Sequence, residues 1–233
     1  MRQDLVLIPG LLLDRRLWAA QTADLADLAE AWIPDISTHD DMAALAASLL
    51  EELPPRFALA GLSMGGYVAL EILRQAPERI TRLALLDTSA YPDTPTQVRR
   101  RRAMIALSGR GAFQGVTRKL LPQLLHAENL KDEALVSLVM DMAKGIGREG
   151  FQRQQRAILS RAAYAPLLPQ INVPALVLCG EADQLTPPAQ HRQMAIAIQT
   201  ARLEMIKGAG HLPPLERPAD TTAALRRWLL REV

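Results

Sequence analysis

Apolar residues recur along this chain in two rhythms. Short runs at 5–8, 57–60, 80–86, 175–179 and 201–206 predict strands, with a weaker candidate at 31–36. Several of these are apolar at every position, which suits strands covered on both faces. Between them, apolar positions return at helical spacing over 19–30, 42–52, 67–75, 189–198 and 219–230. Asp40 or Asp41 offers an N-cap for the helix at 42–52, Pro54-Pro55 stops it, and Pro77 ends the helix at 67–75. Strands alternating with helices predict an α/β fold with a parallel sheet between two helical layers.

From 91 to 165 the alternation stops. The pattern there predicts consecutive helices at 96–107, 112–125, 132–144 and 148–159, punctuated by glycines at 109, 111, 145, 147 and 150. The expected organisation is a core of 1–90 and 166–233 carrying an insertion of 91–165 after the fourth strand. Such an insertion lies over the carboxyl ends of the strands, where ligands bind in sheets of this type.

The strand at 57–60 runs into Gly61-Leu62-Ser63-Met64-Gly65 and then a helix. G-x-S-x-G between strand and helix is the pattern of a nucleophile elbow. The turn forces the serine into a strained backbone, and neighbours with a Cβ would collide across so tight a bend. A serine capping an ordinary β–α turn is the plainer alternative.

A serine hydroxyl is a poor nucleophile until a base removes its proton. Four histidines are available. His39, His126 and His191 read as surface or capping residues. His211 follows the last strand in Lys207-Gly-Ala-Gly-His-Leu-Pro-Pro-Leu-Glu216, a loop flexible enough to turn an imidazole inward. The ring needs an acceptor on its other nitrogen to set its tautomer. Asp183, directly after the strand at 175–179, fits that role. Asp87, at the end of the strand at 80–86, competes for it or serves as a second carboxylate or a helix cap. Glu181 would face outward. An oxyanion also needs donors. Met64, after the nucleophile, offers one backbone N–H. Leu11, after Pro9-Gly10 at the end of the first strand, offers another, unless Gly10 merely turns the chain.

Composition narrows the classes without choosing one. The 233 residues are 49% hydrophobic and 22% charged, and 27 basic against 25 acidic side chains leave a net charge of +2. That balance predicts neither nucleic-acid binding nor a membrane partner. One cysteine, Cys179, excludes an internal disulfide and fits a reducing compartment; with neither signal peptide nor membrane span in the pattern, a cytoplasmic protein is expected. Arg99-Arg-Arg-Arg102 spreads around a helix and reads as a solvated surface. Met104, Met140 and Met142 fill a core or line an adaptable pocket. No residue cluster has metal-ligand spacing, and no P-loop or dinucleotide fingerprint is present.

Together these motifs resemble the α/β-hydrolases of compact carboxylesterase type, similar to pimeloyl-ester carboxylesterases and cofactor-free haloperoxidase relatives. The resemblance runs through Pro9-Gly10, Gly61 to Gly66, Asp183 with Pro187, and Gly210-His211 with Glu216 and Pro218. It implies a Ser63–Asp183–His211 triad, an oxyanion hole from the Leu11 and Met64 N–H groups, a helical cap and no cofactor. Pro9 stands where most relatives carry histidine, and the family's usual N-terminal hairpin is not expected in these residues, so about six strands are expected, all parallel. The expected activity is hydrolysis of small carboxylic esters through an acyl-enzyme on Ser63, by a monomer or homodimer. Thioesters and lactones use the same machinery. A perhydrolase or lyase with the same triad, or a ligand receptor with vestigial hydrolysis, are the alternatives.

Overall fold

The computed structural model describes residues 2–232. Six strands form one sheet: β1 (Gln3–Ile8), β2 (Ala29–Trp32), β3 (Phe57–Leu62), β4 (Ile80–Leu86), β5 (Ala175–Gly180) and β6 (Ala201–Ile206). Their order is β2-β1-β3-β4-β5-β6 and every neighbouring pair is parallel. Helices α1 (Ala19–Asp24), α2 (Met42–Glu52) and α3 (Met64–Gln75) precede β4. The chain between β4 and β5 holds α4 (Pro95–Ser108), α5 (Leu121–Leu124) and α6 (Glu133–Ser160). After β5 come α7 (Pro188–Ala197), α8 (Pro213–Glu216) and α9 (Pro218–Leu230).

Side chains alternate across a strand, so one apolar run feeds two cores. Leu5, Leu7, Ala58, Ala60, Leu176 and Leu178 pack on one face with Trp18, Leu225 and Trp228. Val6, Ile8, Leu59, Leu83 and Val177 pack on the other with Leu45 of α2, Val68 of α3 and Met194 of α7. Each such leucine removed from water contributes roughly 1.5–3 kcal/mol. The first core continues into the segment between β4 and β5 through Val116, Val139 and Met142. Met142 is fully buried, whereas Met104 and Met140 are partly buried against the same core.

Several expected elements take a different form. The helix expected at 19–30 ends at Asp24, and β2 begins at Ala29 rather than residue 31. Ala29 and Glu30 pair with Gln3 and Asp4 of β1, and that ladder overrides the helical preference of an alanine-rich stretch. The helix expected at 112–125 shrinks to α5, because Gly111 and Gly115 take φ of 63° and 62°, outside helical backbone. The two helices expected at 132–144 and 148–159 are joined as α6 across a kink at Gly147 (φ 71°). Arg101 is not a solvated member of its run: its Nε lies 2.6 Å from Asp93 Oδ2, while Arg161 pairs with Asp93 Oδ1. Arg99, Arg100 and Arg102 are exposed. Among the described residues no helix is long and apolar enough to cross a membrane.

Candidate active site

In-register pairing carries the strand ends to one edge. Ile8 pairs with Gly61, Leu62 with Leu86, Leu86 with Leu178 and Gly180 with Ile206. The loops after β1, β3, β4, β5 and β6 therefore gather at that edge.

Ser63 occupies the turn between β3 and α3 with φ 54° and ψ −116°, a strained conformation for a side-chain-bearing residue. The turn is pinned on both sides. Ser63 N–H donates to Leu86 O at 3.0 Å, while its own carbonyl accepts from Gly66 N–H at 2.9 Å and from the Thr88 hydroxyl at 2.7 Å. A Cβ on Gly61 would sit 2.2 Å from Gly65 O, and one on Gly65 would sit 2.3 Å from Ile8 O. Only glycine fits either place, so the two glycines bring α3 hard against β3 and the end of β1.

Asp183, on the loop after β5, meets His211, on the loop after β6. His211 Nδ1 lies 2.9 Å from Asp183 Oδ2. Asp183 also accepts from Leu185 N–H at 2.8 Å, Thr186 N–H at 3.2 Å and the Thr186 hydroxyl at 2.7 Å. Burial alone would raise this carboxyl; its contact with His211 and these hydrogen bonds outweigh burial and bring it to about 2. An ionised Asp183 only accepts, so His211 Nδ1 carries the proton and Nε2 of the neutral ring is left as the basic nitrogen. Among the described residues no hydrogen bond joins the Ser63 hydroxyl to His211, a contact that often tightens only in complexes. Nor does the Leu11 or Met64 N–H donate a hydrogen bond among the described residues.

Asp87 stands beside this pair but faces elsewhere. Its Oδ1 accepts from Gly180 N–H at 2.8 Å, and its buried Oδ2 has no partner. Burial, then the neighbouring Asp183 charge, pushes the Asp87 carboxyl well above the usual carboxylate range. His191 departs from expectation: it is fully buried, and its Nε2 accepts from Thr88 N–H at 3.0 Å. Burial lowers its pKa to about 4. It is a neutral core histidine that braces the loop after β4. His39 and His126 are partly exposed, and Glu181 faces solvent.

Sequence reasoning assigned no role to Glu216, which ties the His211 loop to the segment between β4 and β5. The carboxylate is buried. Its Oε1 accepts from Gly210 N–H at 2.7 Å and Leu212 N–H at 3.2 Å, on either side of His211. Its Oε2 accepts from His126 N–H at 2.6 Å and Asn129 Nδ2 at 2.7 Å. His211 N–H itself donates to Leu124 O at 2.8 Å. An acidic residue among Pro213, Pro214, Leu215 and Pro218 was the available signal.

One potential metal cluster exists among the described residues. Ligand atoms of Asp87, Cys179 and Asp183 lie within 4.8 Å of one another. The donor set fits a cation poorly. Burial holds the Cys179 thiol protonated, its Sγ donates to Gly180 O at 3.1 Å, and Asp183 is engaged with His211 and Thr186.

A strained serine at a strand–helix elbow, with a buried aspartate–histidine pair on the loops after β5 and β6 of a parallel sheet, defines a hydrolase architecture. The chain belongs to the alpha/beta hydrolase family, whose model matches residues 5–225. It is 25% identical over 254 residues to the pimeloyl-[acyl-carrier protein] methyl ester esterase of Aromatoleum aromaticum, covering 94% of this chain and 95% of the relative. A thermophilic esterase from Thermogutta terrifontis superposes with a TM-score of 0.87 at 29% identity, covering 97% of this chain and 89% of that one. The enol-lactonase of Burkholderia xenovorans gives 0.84 at 26% identity, over 99% and 92%.

Proposed function

We propose that this chain is a serine carboxylesterase that hydrolyses small carboxylic esters. The observation that carries the reading is the 2.9 Å contact between buried Asp183 and His211, which leaves a basic Nε2 for the strained Ser63. Ser63 Oγ attacks the acyl carbon as His211 Nε2 takes its proton, and Asp183 stabilises the resulting imidazolium. The Leu11 and Met64 N–H groups receive the developing oxyanion. The tetrahedral adduct collapses, the C–O bond to the alcohol breaks, and His211 returns the proton to the departing oxygen. Water, deprotonated by the same ring, then attacks the acyl-enzyme and releases the acid and Ser63.

The segment 91–165 acts in this reading as the cap. Val116, Leu121, Val139 and Met142 share a cluster with Leu12 and Leu13 of the loop after β1, which favours short to medium apolar acyl or aryl groups. Likeness to an enol-lactonase supports lactones as a second substrate class.

A fluorophosphonate adduct mapped to Ser63, with turnover abolished in Ser63→Ala, is the expected result. Undiminished turnover in that variant would sink the mechanism. A series of nitrophenyl esters of graded acyl length, run beside a lactone and a thioester, then sets the substrate class.

A further inference from the structure

Gln154 lies on the second half of α6 and is fully buried, yet its side chain serves a backbone group far away in sequence. Its Oε1 accepts from Leu12 N–H at 3.0 Å. Leu12 belongs to the loop after β1, where Leu13 N–H donates to Gly10 O at 3.1 Å and closes a turn over Gly10, Leu11, Leu12 and Leu13. The third residue of that turn, Leu12, has φ 61°. Turns with positive φ at this place favour glycine or asparagine, and a leucine held there carries strain. The turn needs an external hold, and Gln154 supplies one.

Each end of Leu11 is set by a different bond. The Gly10–Leu11 peptide is anchored through Gly10 O by Leu13, and the Leu11–Leu12 peptide is anchored through Leu12 N–H by Gln154. Loss of the second bond frees the Leu11–Leu12 peptide to rotate and Leu12 to relax to negative φ, carrying the Leu11 backbone with it. The amide orientation is unambiguous, because an N–H donates only to oxygen here. Gln154 Nε2 is left buried with no partner. An unsatisfied buried amide is costly, so stability alone would favour an apolar side chain of the same length.

We propose that Gln154 is a positioning residue for the hydrolysis: by holding Leu12 N–H it aims the Leu11 N–H at the oxyanion, and so makes oxyanion stabilisation depend on α6 being seated over the loop after β1. This rests on the reading of Leu11 as an oxyanion donor to a Ser63 adduct.

Gln154→Met keeps length and volume but loses the acceptor, whereas Gln154→Glu keeps an acceptor. Gln155→Met, next door and equally buried, reports general damage to α6. With a nitrophenyl ester, Gln154→Met should lose about 10- to 100-fold in kcat with little change in KM, since the missing interaction belongs to the transition state. Its affinity for a trifluoromethyl ketone, which forms an oxyanion on the serine, should fall by a similar factor. Gln154→Glu should recover most of both, and Gln155→Met should lose thermal stability while keeping kcat. The proposal is overturned if Gln154→Met keeps kcat, if its ketone affinity is unchanged while kcat falls, or if Gln154→Glu or Gln155→Met is as slow as Gln154→Met. Inactive Ser63→Ala beside a fully active Gln154→Met would sink this proposal alone; an active Ser63→Ala would remove the reading beneath it.

Discussion

Asp183 and His211, each 3% exposed, share a 2.9 Å hydrogen bond, while Asp87 nearby turns its Oδ1 to Gly180 N–H instead. Replacing Asp183 by Asn keeps the shape but gives His211 the wrong tautomer. Asp183→Asn should lose about 10³- to 10⁴-fold in kcat with the fold intact, and Asp87→Asn should stay within about threefold of wild type. Steady-state kinetics on the two purified variants decides the matter. A reversed order would assign the acid to Asp87.

Asp87 carries a pH-dependent cost of its own. The folded protein holds its carboxyl protonated well above the pH at which an unfolded chain, near 3.8, releases the proton. The folded state therefore binds more protons above that value, and stability falls as pH rises through the window. Asparagine cannot ionise and still offers an oxygen to Gly180 N–H. Asp87→Asn should melt higher than wild type at pH 8, with the gap closing by pH 4 in thermal scans.

His191 acts at the acid side. Burial lowers its pKa to about 4, below the ordinary 6.5. Between these values the unfolded chain takes up a proton that the folded chain refuses, so stability drops as pH falls from 6.5 towards 4. The full contribution is about 3 kcal/mol at 1.36 kcal/mol per unit. His191→Gln can still accept from Thr88 N–H and cannot titrate. Urea denaturation at pH 7 and pH 4.5 should show a smaller acid loss in the variant than in wild type.

Glu216 gathers four N–H donors onto two oxygens. Glutamine retains one oxygen and turns an NH₂ group towards two of those donors. Glu216→Gln should cost about 2–4 kcal/mol, or roughly 5–15 °C in melting temperature at this chain length. Because Gly210 and Leu212 flank His211, kcat should also fall, by about tenfold or more. Differential scanning fluorimetry and ester kinetics on the same sample test both. Full activity would show that the loop keeps His211 in place unaided.

What was readable in the chain was local. The apolar runs predicted the six strands, with β4 and β6 at their observed bounds, because continuous burial on two faces leaves a continuous apolar imprint. Asp41 caps α2 by accepting from Ala43 and Ala44 N–H, a bond made within one turn. The elbow was equally visible, since Gly61 and Gly65 meet backbone atoms that no other residue could tolerate. The errors fell where a long-range partner overrode the local preference. The β1 ladder claimed Ala29 and Glu30 from a predicted helix, and Asp93 drew Arg101 out of a charge run that reads as solvated.

By itself, then, the sequence determined the strand–helix alternation, the strained Ser63 turn and the short set of groups able to serve it. These depend on period, turn chemistry and chain order, which are properties of neighbouring residues. Tertiary structure decided which carboxylate meets His211, that His191 is buried, that Glu216 clasps the loop around His211, and that Gln154 holds Leu12. Each of these joins residues brought together only by the register of parallel strands and by the seat of α6. The partners span 28 residues for Asp183 and His211 and 142 for Leu12 and Gln154, far beyond any local pattern.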